Sequence, residues 1–330
     1  MPELPDITVY LERIEARFLG RKLEKLVLLS PFILRSVDPP VAELSGKRLL
    51  GTSRLGKRIV LELEDELFAI VHLMRAGRLK WVEPGKKAPG KISLVLFQFD
   101  EGAMVLTEAG TKRRASLYLA RGRDAVKAHD PGGIEPLTAD LAAFSEKLLS
   151  ERHTLKRCLT DPHLFAGIGN AYSDEILHRA KLSPVRMSTQ LDASEIARLR
   201  KAIIDVMEEW TDRLRVETGE NFPREVTAFR SEMAAHGKHG QPCPVCGTPI
   251  QRIKYAESET NYCPECQTGG KLLADRALSR LLKEDWPKTL DDLEEMKKLK
   301  AIAPPTPKQK PSAREPGTKP QLAVRKPPKT

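Results

Sequence analysis

Two pairs of cysteines in the last third of the chain have the spacing of metal ligands. They form the motifs CPVC (243–246) and CPEC (263–266), and sixteen residues separate the pairs. Each pair can place two thiolates on one tight turn, and the residues between them can form a hairpin around a tetrahedral Zn²⁺. With four sulfur ligands, the single zinc ion would be structural, because no position stays open for water. Two disulfides or four free thiols are the alternatives. The predicted zinc ligands are Cys243, Cys246, Cys263 and Cys266.

The first residues of the chain offer a second kind of chemistry. Removal of Met1 would leave Pro2 with a free secondary amine, which is nucleophilic when it is deprotonated. Glu3 lies beside it and could donate and accept protons. Alternatively, Pro2 only begins a loose terminus. The first ten residues do not decide between these interpretations.

A glycine-rich turn at Gly167-Ile168-Gly169 is followed by Asn170 and a run with helical character. Glycines allow a close approach of the backbone, and the unpaired N–H groups of a helix N-terminus suit a phosphate. Asn170 could contact such a phosphate through its side-chain amide, or it could cap the helix.

The elements that must position these residues fall into two kinds. Residues 5–19 have apolar side chains at helical spacing, whereas residues 23–120 contain short apolar runs separated by turns, which indicates an antiparallel sandwich or barrel. Beyond residue 137 the pattern becomes helical. The predicted helices are 138–149, 153–160, about 171–180, 192–215 and 275–285. The pair at 153–160 and 171–180, joined by a loop with two turns, predicts a helix–two-turn–helix unit.

The composition favours an acidic partner. The 330 residues carry a formal net charge of +10. The helix–two-turn–helix unit and the four-cysteine ribbon could both bind phosphate, which points to duplex DNA rather than to a small metabolite. The sequence has no transmembrane run and no apolar start typical of a signal peptide, so we expect a cytoplasmic protein, associated with the nucleoid in a bacterium. The segment from about residue 301 is rich in proline and lysine and is expected to be disordered.

Taken in order along the chain, these motifs resemble the formamidopyrimidine-DNA glycosylase and endonuclease VIII family of base-excision repair enzymes. The resemblance covers roughly residues 2–285 and rests on PELPD, GKRIVLEL, VHLMRAG, EPL, AGIGNAYSDEIL and the four-cysteine ribbon. It implies an α+β fold in four parts. These are an N-terminal antiparallel β-sandwich with a flanking helix (2–130), a helical DNA-binding domain (131–236), a zinc ribbon with the following helix (237–285) and a C-terminal extension (286–330).

The same resemblance implies a reaction and the residues that perform it. Pro2 would attack C1′ of a damaged nucleotide and form a Schiff base, Glu3 would move protons, and Lys57 would contact a phosphate or assist the proton transfers. The base would be excised, and the strand would be cut by β-elimination or by β,δ-elimination without a catalytic cofactor. The expected partner is damaged double-stranded DNA, bound by a monomer. The expected DNA contacts are His72, Arg75, Arg113, Asn170 and Lys254.

Some positions depart from the family pattern. Arg75 stands where an apolar Met is usual, Ala115 where an aromatic wedge is usual, and Ser258 about where an arginine reaches the phosphate of the flipped nucleotide. The nucleophile is intact, whereas the choice of lesion stays open. Two other functions also stay open, namely lyase action on abasic sites alone and binding of damaged DNA without cleavage.

Overall fold

Antiparallel strands and helices divide the chain into two halves. The computed structural model describes residues 1–110, 112–224, 230–255, 258–274 and 287–302. The strands are β1 Lys22–Leu28, β2 Lys47–Leu55, β3 Arg58–Leu63, β4 Leu67–His72, β5 Gly77–Val82, β6 Ser93–Phe99, β7 Gly102–Glu108, β8 Ser116–Arg121, β9 Gln251–Tyr255 and β10 Ser258–Tyr262. The helices are α1 Leu4–Phe18, α2 Arg123–Lys127, α3 Leu141–Leu149, α4 Leu155–Thr160, α5 Asn170–Arg179, α6 Ala193–Thr218, α7 Pro264–Thr268 and α8 Leu290–Ile302.

The first eight strands form one antiparallel sheet in the order β5-β7-β6-β1-β2-β3-β4-β8. The β1–β2 pairing is short, and it joins two four-stranded halves. Alternate residues of β3, Ile59 and Leu61, point into a core that they share with Phe97 of β6 and Leu106 of β7. Because both halves of the sheet bury one face in the same core, the N-terminal half is the predicted sandwich.

Helix α1 packs on the sandwich along the apolar face that its spacing predicts. Ile7, Tyr10, Ile14 and Phe18 are all buried in the sandwich core. Leu4, one turn earlier, belongs instead to the core of the helical half. The beginning of α1 therefore lies where the two halves meet.

The helical half contains the predicted two-turn unit. Helices α4 and α5 follow the sequence prediction within two residues at each end, and α6 begins at the capping residue Asp192, whose carboxylate accepts a hydrogen bond from the Glu195 N–H at 2.9 Å. Helix α8, within the predicted extension, has no counterpart in the sequence prediction. The predicted helix at 275–285 lies outside the described residues, as does residue 303 onwards.

None of the helices in the described ranges combines the length and the hydrophobicity that a membrane crossing requires.

Candidate active site

The Glu3 carboxylate lies at the N-terminus of α5 and is only 2% exposed. It accepts hydrogen bonds from the backbone N–H groups of Gly169 at 2.7 Å, Ala171 at 3.0 Å and Tyr172 at 3.3 Å. The first N–H groups of a helix have no partner within it, and the helix dipole favours a negative charge at that end. The helix start that suggested a phosphate site therefore holds a carboxylate of the chain itself, which corrects that interpretation.

A glycine is required at position 169 because a side chain would clash with Glu3, and not because of its backbone angles. A Cβ atom at this position would lie 2.4 Å from Cδ of Glu3, well inside van der Waals contact. Its φ of −129° is one that any residue adopts. The glycine therefore permits the carboxylate to approach the helix.

Further contacts fix the residues on both sides of Glu3. The backbone N–H of Glu3 donates to a carboxylate oxygen of Asp6 at 2.9 Å, and the N–H of Leu4 donates to the carbonyl oxygen of Gly167 at 2.9 Å. Pro2 and Glu3 are both buried. The beginning of the chain is thus held by α1 on one side and by the helical half on the other.

The terminal amine lies in a largely desolvated environment. Burial lowers the pKa of the Met1 amine below its ordinary value of 8.0, and Arg78 and Lys57 lower it further, while Glu3 and Asp6 act in the opposite direction. This end of the chain therefore lies where burial and nearby cations disfavour a protonated amine, and an amine attacks only in its deprotonated form.

Lys57 lies on a tight hairpin turn between β2 and β3. Leu55 of β2 pairs with Arg58 of β3, so that Gly56 and Lys57 form the two-residue turn, with Gly56 at φ +60°. Burial lowers the pKa of Lys57, the Glu3 charge raises it, and the Lys156 charge lowers it. These mutual effects show that Lys57, Glu3 and the terminal amine lie in one electrostatic environment.

His72, at the end of β4, lies beside this group. It pairs with Arg58 across the β3–β4 ladder. Burial, together with the charges of Arg58 and Lys57, lowers the pKa of His72 to about 4. The ring is therefore neutral at physiological pH in the absence of DNA.

Two basic residues at this site were missed by sequence reasoning. The Lys156 ammonium donates to the Asn170 carbonyl oxygen at 2.7 Å and to Asp174. Arg78 is 8% exposed, and its Nη2 has no hydrogen-bond partner among the described residues. Neither belongs to a motif with a local signature, because only the packing of α4 and β5 brings them to the amine and to Lys57.

Arg78 also lines a cavity of about 610 Å³ between β5 and residues 221–224. Lys80, Lys86 and Arg224 are among its other lining residues, and Glu83 is the one acidic residue among the described residues that line it, so the charged groups of its walls are mainly basic. Residues 221–224, which follow α6, form one side of this cavity. Residues 225–229 lie outside the described part of the chain.

The four cysteines form one cluster. The sulfurs of Cys243, Cys246, Cys263 and Cys266 all lie within 4.8 Å of one another. Four thiolates at about 2.3 Å from a tetrahedral zinc would be about 3.8 Å apart, and two of the observed separations are 3.4 Å and 4.0 Å. The donors therefore fit one structural Zn²⁺ with all four positions filled. The hairpin β9–β10 connects the two knuckles, as predicted.

Known protein families match the three parts in the same order. Family models match residues 1–116 as a formamidopyrimidine-DNA glycosylase N-terminal domain, 133–217 as the H2TH domain of that glycosylase, and 240–269 as a zinc finger found in FPG and IleRS. The formamidopyrimidine-DNA glycosylase of Pelotomaculum thermopropionicum is 32% identical over 278 residues, which cover 81% of this chain and 99% of the relative. The chain belongs to the formamidopyrimidine-DNA glycosylase family. It is a bifunctional DNA glycosylase and AP lyase of base-excision repair, and the family uses no catalytic cofactor.

Solved structures of the family superpose on this glycosylase. A Lactococcus lactis FPG mutant in complex with Fapy-dG-containing DNA is 29% identical with a TM-score of 0.70, over 81% of this chain and all of the other. The Lactococcus lactis enzyme bound non-covalently to DNA containing an AP site is 27% identical with a TM-score of 0.70, over 81% and 99% of the two chains.

The loops expected to face DNA in this glycosylase are held differently from the reaction centre. Arg75 is exposed on the turn after β4, and Arg113 is exposed with Nη2 donating to the Lys91 carbonyl oxygen at 2.7 Å. The buried Glu108 carboxylate accepts hydrogen bonds from the N–H groups of Arg114 and Ala115, each at about 3.0 Å. Ala115 is itself buried in the sandwich core. It is therefore no wedge.

The two remaining predicted DNA contacts both neighbour Glu259 of β10. The Asn170 side-chain amide donates to the Glu259 carbonyl oxygen at 3.0 Å, and the N-cap of α5 is Gly169, so the capping interpretation of Asn170 is wrong. Lys254 is exposed on β9, and its register partner is Glu259 of β10. The contact of Asn170 with the ribbon leaves its role towards DNA a prediction.

Proposed function

We propose that the secondary amine of Pro2, exposed by removal of Met1, is the nucleophile of this glycosylase and lyase. One observation carries the assignment. Glu3, buried and held by three helix N–H groups, lies in the same desolvated environment as the terminal amine and Lys57. A carboxylate that is fixed next to an amine of lowered pKa suits an acid–base partner better than a structural ion pair.

The glycosylase step follows from the chemistry of the amine. The Pro2 nitrogen attacks C1′ of the damaged nucleotide, and the bond from C1′ to the base breaks. The base leaves with the electron pair and takes up a proton. The amine then loses its proton, the C1′–O4′ bond opens, and O4′ is protonated, which leaves an iminium on Pro2. Glu3 is the group placed to carry these protons.

The lyase step uses the electrophilic iminium. It acidifies the C2′ hydrogen, and removal of that proton breaks the C3′–O bond and expels the 3′ phosphate. Water then hydrolyses the Schiff base and restores the amine. Lys57 binds the flanking phosphate or assists these proton transfers, and its electrostatic interaction with Glu3 supports this role.

We propose that the substrate is duplex DNA with an oxidised or ring-opened base, or with an abasic site. DNA with Fapy-dG and DNA with an AP site are bound by the similar Lactococcus lactis structures. The net charge of +10 supports binding to a polyanion, and attack at C1′ requires the nucleotide to leave the stack. We further propose that the protein acts as a cytoplasmic, nucleoid-associated monomer, with the four domain boundaries given above.

Borohydride trapping tests the nucleophile. The full-length protein, shown by intact mass to lack Met1, is incubated with abasic and lesion-bearing duplexes in the presence of borohydride, which reduces a Schiff base to a stable adduct. We expect a covalent complex with both kinds of duplex, and peptide mapping should place the adduct on Pro2. The variant Pro2→Gly should trap at least about 100-fold more slowly, because the ring that fixes the amine is lost.

Pro31→Gly is the matched control, since Pro31 is exposed on a short helix of the sandwich. It should trap at the wild-type rate. An adduct on a lysine instead of Pro2, or no adduct with abasic DNA, would refute the assignment. Trapping with abasic DNA but with no lesion-bearing duplex would restrict the activity to the lyase step.

A further inference from the structure

One face of α5 carries three polar side chains at intervals of four residues, which places them in a row along the helix. Asn170 contacts the carbonyl oxygen of Glu259 in β10, as described above. Asp174, which is fully buried, accepts hydrogen bonds from His236 at 2.7 Å and from Asn261 at 3.3 Å. His178 completes the row and faces the cysteine cluster. This row is the face on which the zinc ribbon lies.

The contact of His178 is with a zinc ligand. Its Nε2 lies 3.2 Å from Sγ of Cys243, and the residues are 6% and 3% exposed. A zinc-bound cysteine is a thiolate, which can only accept a hydrogen bond, so Nε2 must carry the hydrogen. The backbone N–H of Val245 points at the same sulfur at 3.5 Å. Cys243 therefore receives one hydrogen bond from its own knuckle and one from the helical half.

We propose that His178 is a positioning residue of the zinc centre, and that its N–H···S hydrogen bond fixes the Cys243 thiolate and ties the ribbon to α5. Four thiolates around one Zn²⁺ leave a net charge of −2, and a buried N–H donor stabilises that charge where water cannot. Groups that hydrogen-bond to metal ligands orient them, and their loss commonly weakens metal binding by 10- to 100-fold.

The same helix connects this contact to the catalytic carboxylate. The N-terminus of α5 holds Glu3, and its last turn holds Cys243 through His178. A helix of ten residues is about 15 Å long, so the two sites lie at opposite ends of one rigid element. Since Asn170 and Asp174 also hold the ribbon, loss of the His178 bond should affect the metal strongly and the trapping rate weakly.

Zinc release from the full-length, zinc-loaded protein tests the proposal. A colorimetric chelator, 4-(2-pyridylazo)resorcinol, reports the rate of release and, in competition, the affinity. His178→Phe keeps a ring of similar size but has no donor, and we expect its zinc affinity to fall about tenfold. His178→Gln keeps an N–H donor on a side chain of similar reach, and it should retain most of the affinity. His236→Gln, which disturbs the same row without touching a sulfur, is the matched control and should stay near wild type.

A spectroscopic readout separates this role from a general loosening of the fold. In the cobalt-substituted protein, loss of the hydrogen bond raises the energy of the sulfur lone pairs, so the thiolate-to-cobalt charge-transfer band should move to longer wavelength in His178→Phe but not in His178→Gln. Circular dichroism should show unchanged helix content in both. Wild-type zinc affinity in His178→Phe, or an equal loss in the Phe, Gln and His236→Gln variants, would overturn the proposal.

Discussion

The proposed reaction centre of this glycosylase and the loops that we expect to face DNA are built in opposite ways. Glu3 is buried and accepts hydrogen bonds from three backbone donors of another element. Gly169 lies against it, where a Cβ atom would clash with the Glu3 carboxylate. Arg75, Arg113 and Lys254 are exposed on turns or on a strand of the ribbon. A residue with several fixed partners cannot be replaced without loss of geometry, whereas an exposed side chain can be exchanged at small cost. The chemistry is therefore constrained by the fold, while recognition of the lesion is free to vary.

Among variants that test this comparison, Glu3→Gln is expected to have the largest effect on the cleavage rate. The amide keeps the volume but presents an NH₂ group to N–H donors of α5, and it cannot carry the protons of the reaction. Single-turnover cleavage of an abasic duplex should slow by about 10²- to 10⁴-fold. Glu12→Gln, on the exposed side of α1 where Glu12 pairs with Arg215 at 2.6 Å, should cleave at the wild-type rate. Near-normal cleavage by Glu3→Gln would show that the buried carboxylate is structural.

The next largest effect is expected from Gly169→Ala. The added Cβ would force the Glu3 carboxylate away from the helix, and a displacement of about 1 Å can cost about 100-fold in rate. The free energy of unfolding should fall by about 1–3 kcal/mol, as measured by urea denaturation. Gly51→Ala is the matched control, because no atom lies within 4 Å of a Cβ at that position. Equal rates for the two variants would contradict the close approach of Glu3 to α5.

A smaller effect is expected when an exposed cation of the DNA-facing loops is removed. Arg113→Ala should weaken binding to damaged and undamaged duplexes alike and lower the salt dependence of log K by about one phosphate contact. The single-turnover rate at saturating DNA should not change. Arg123→Ala, which removes an exposed arginine paired with Glu62, should bind as wild type. A loss for only one lesion would instead make Arg113 a specificity residue.

The smallest effect is a change in pH dependence. The Arg78 charge lowers the pKa of the Met1 amine, and we expect it to act in the same direction on the Pro2 amine that is exposed when Met1 is removed, so Arg78→Met should raise the pKa of that amine. The rising limb of the trapping rate against pH should then move to higher pH, with the plateau largely unchanged. Lys80→Met removes a cation from an exposed position of the same strand and should leave the profile in place. An unshifted pH profile in Arg78→Met would show that the Arg78 charge does not affect the pKa of the amine.

Elements whose residues form a recognisable local pattern could be predicted from the sequence. The apolar face of α1, the helices α4 to α6 and the paired cysteines follow from spacing that short-range packing and metal geometry enforce. The partners of Glu3 could not be found in this way, because they lie more than 160 residues away. Lys156 and Arg78 were missed for the same reason, and the burial of Ala115 depends on how β7 and β8 pack.

The division of α1 between two cores has a consequence for biosynthesis. Leu4 packs with the helical half, and the residues from Ile7 onwards pack with the sandwich. While only the sandwich has been synthesised, the chain has its terminal amine but lacks the α5 N–H groups that hold Glu3. It also lacks the helical half that helps to bury this end of the chain. The N-terminus is synthesised first, but its site is completed only after the helical half has been made. An unfinished chain on the ribosome is therefore not expected to cleave DNA.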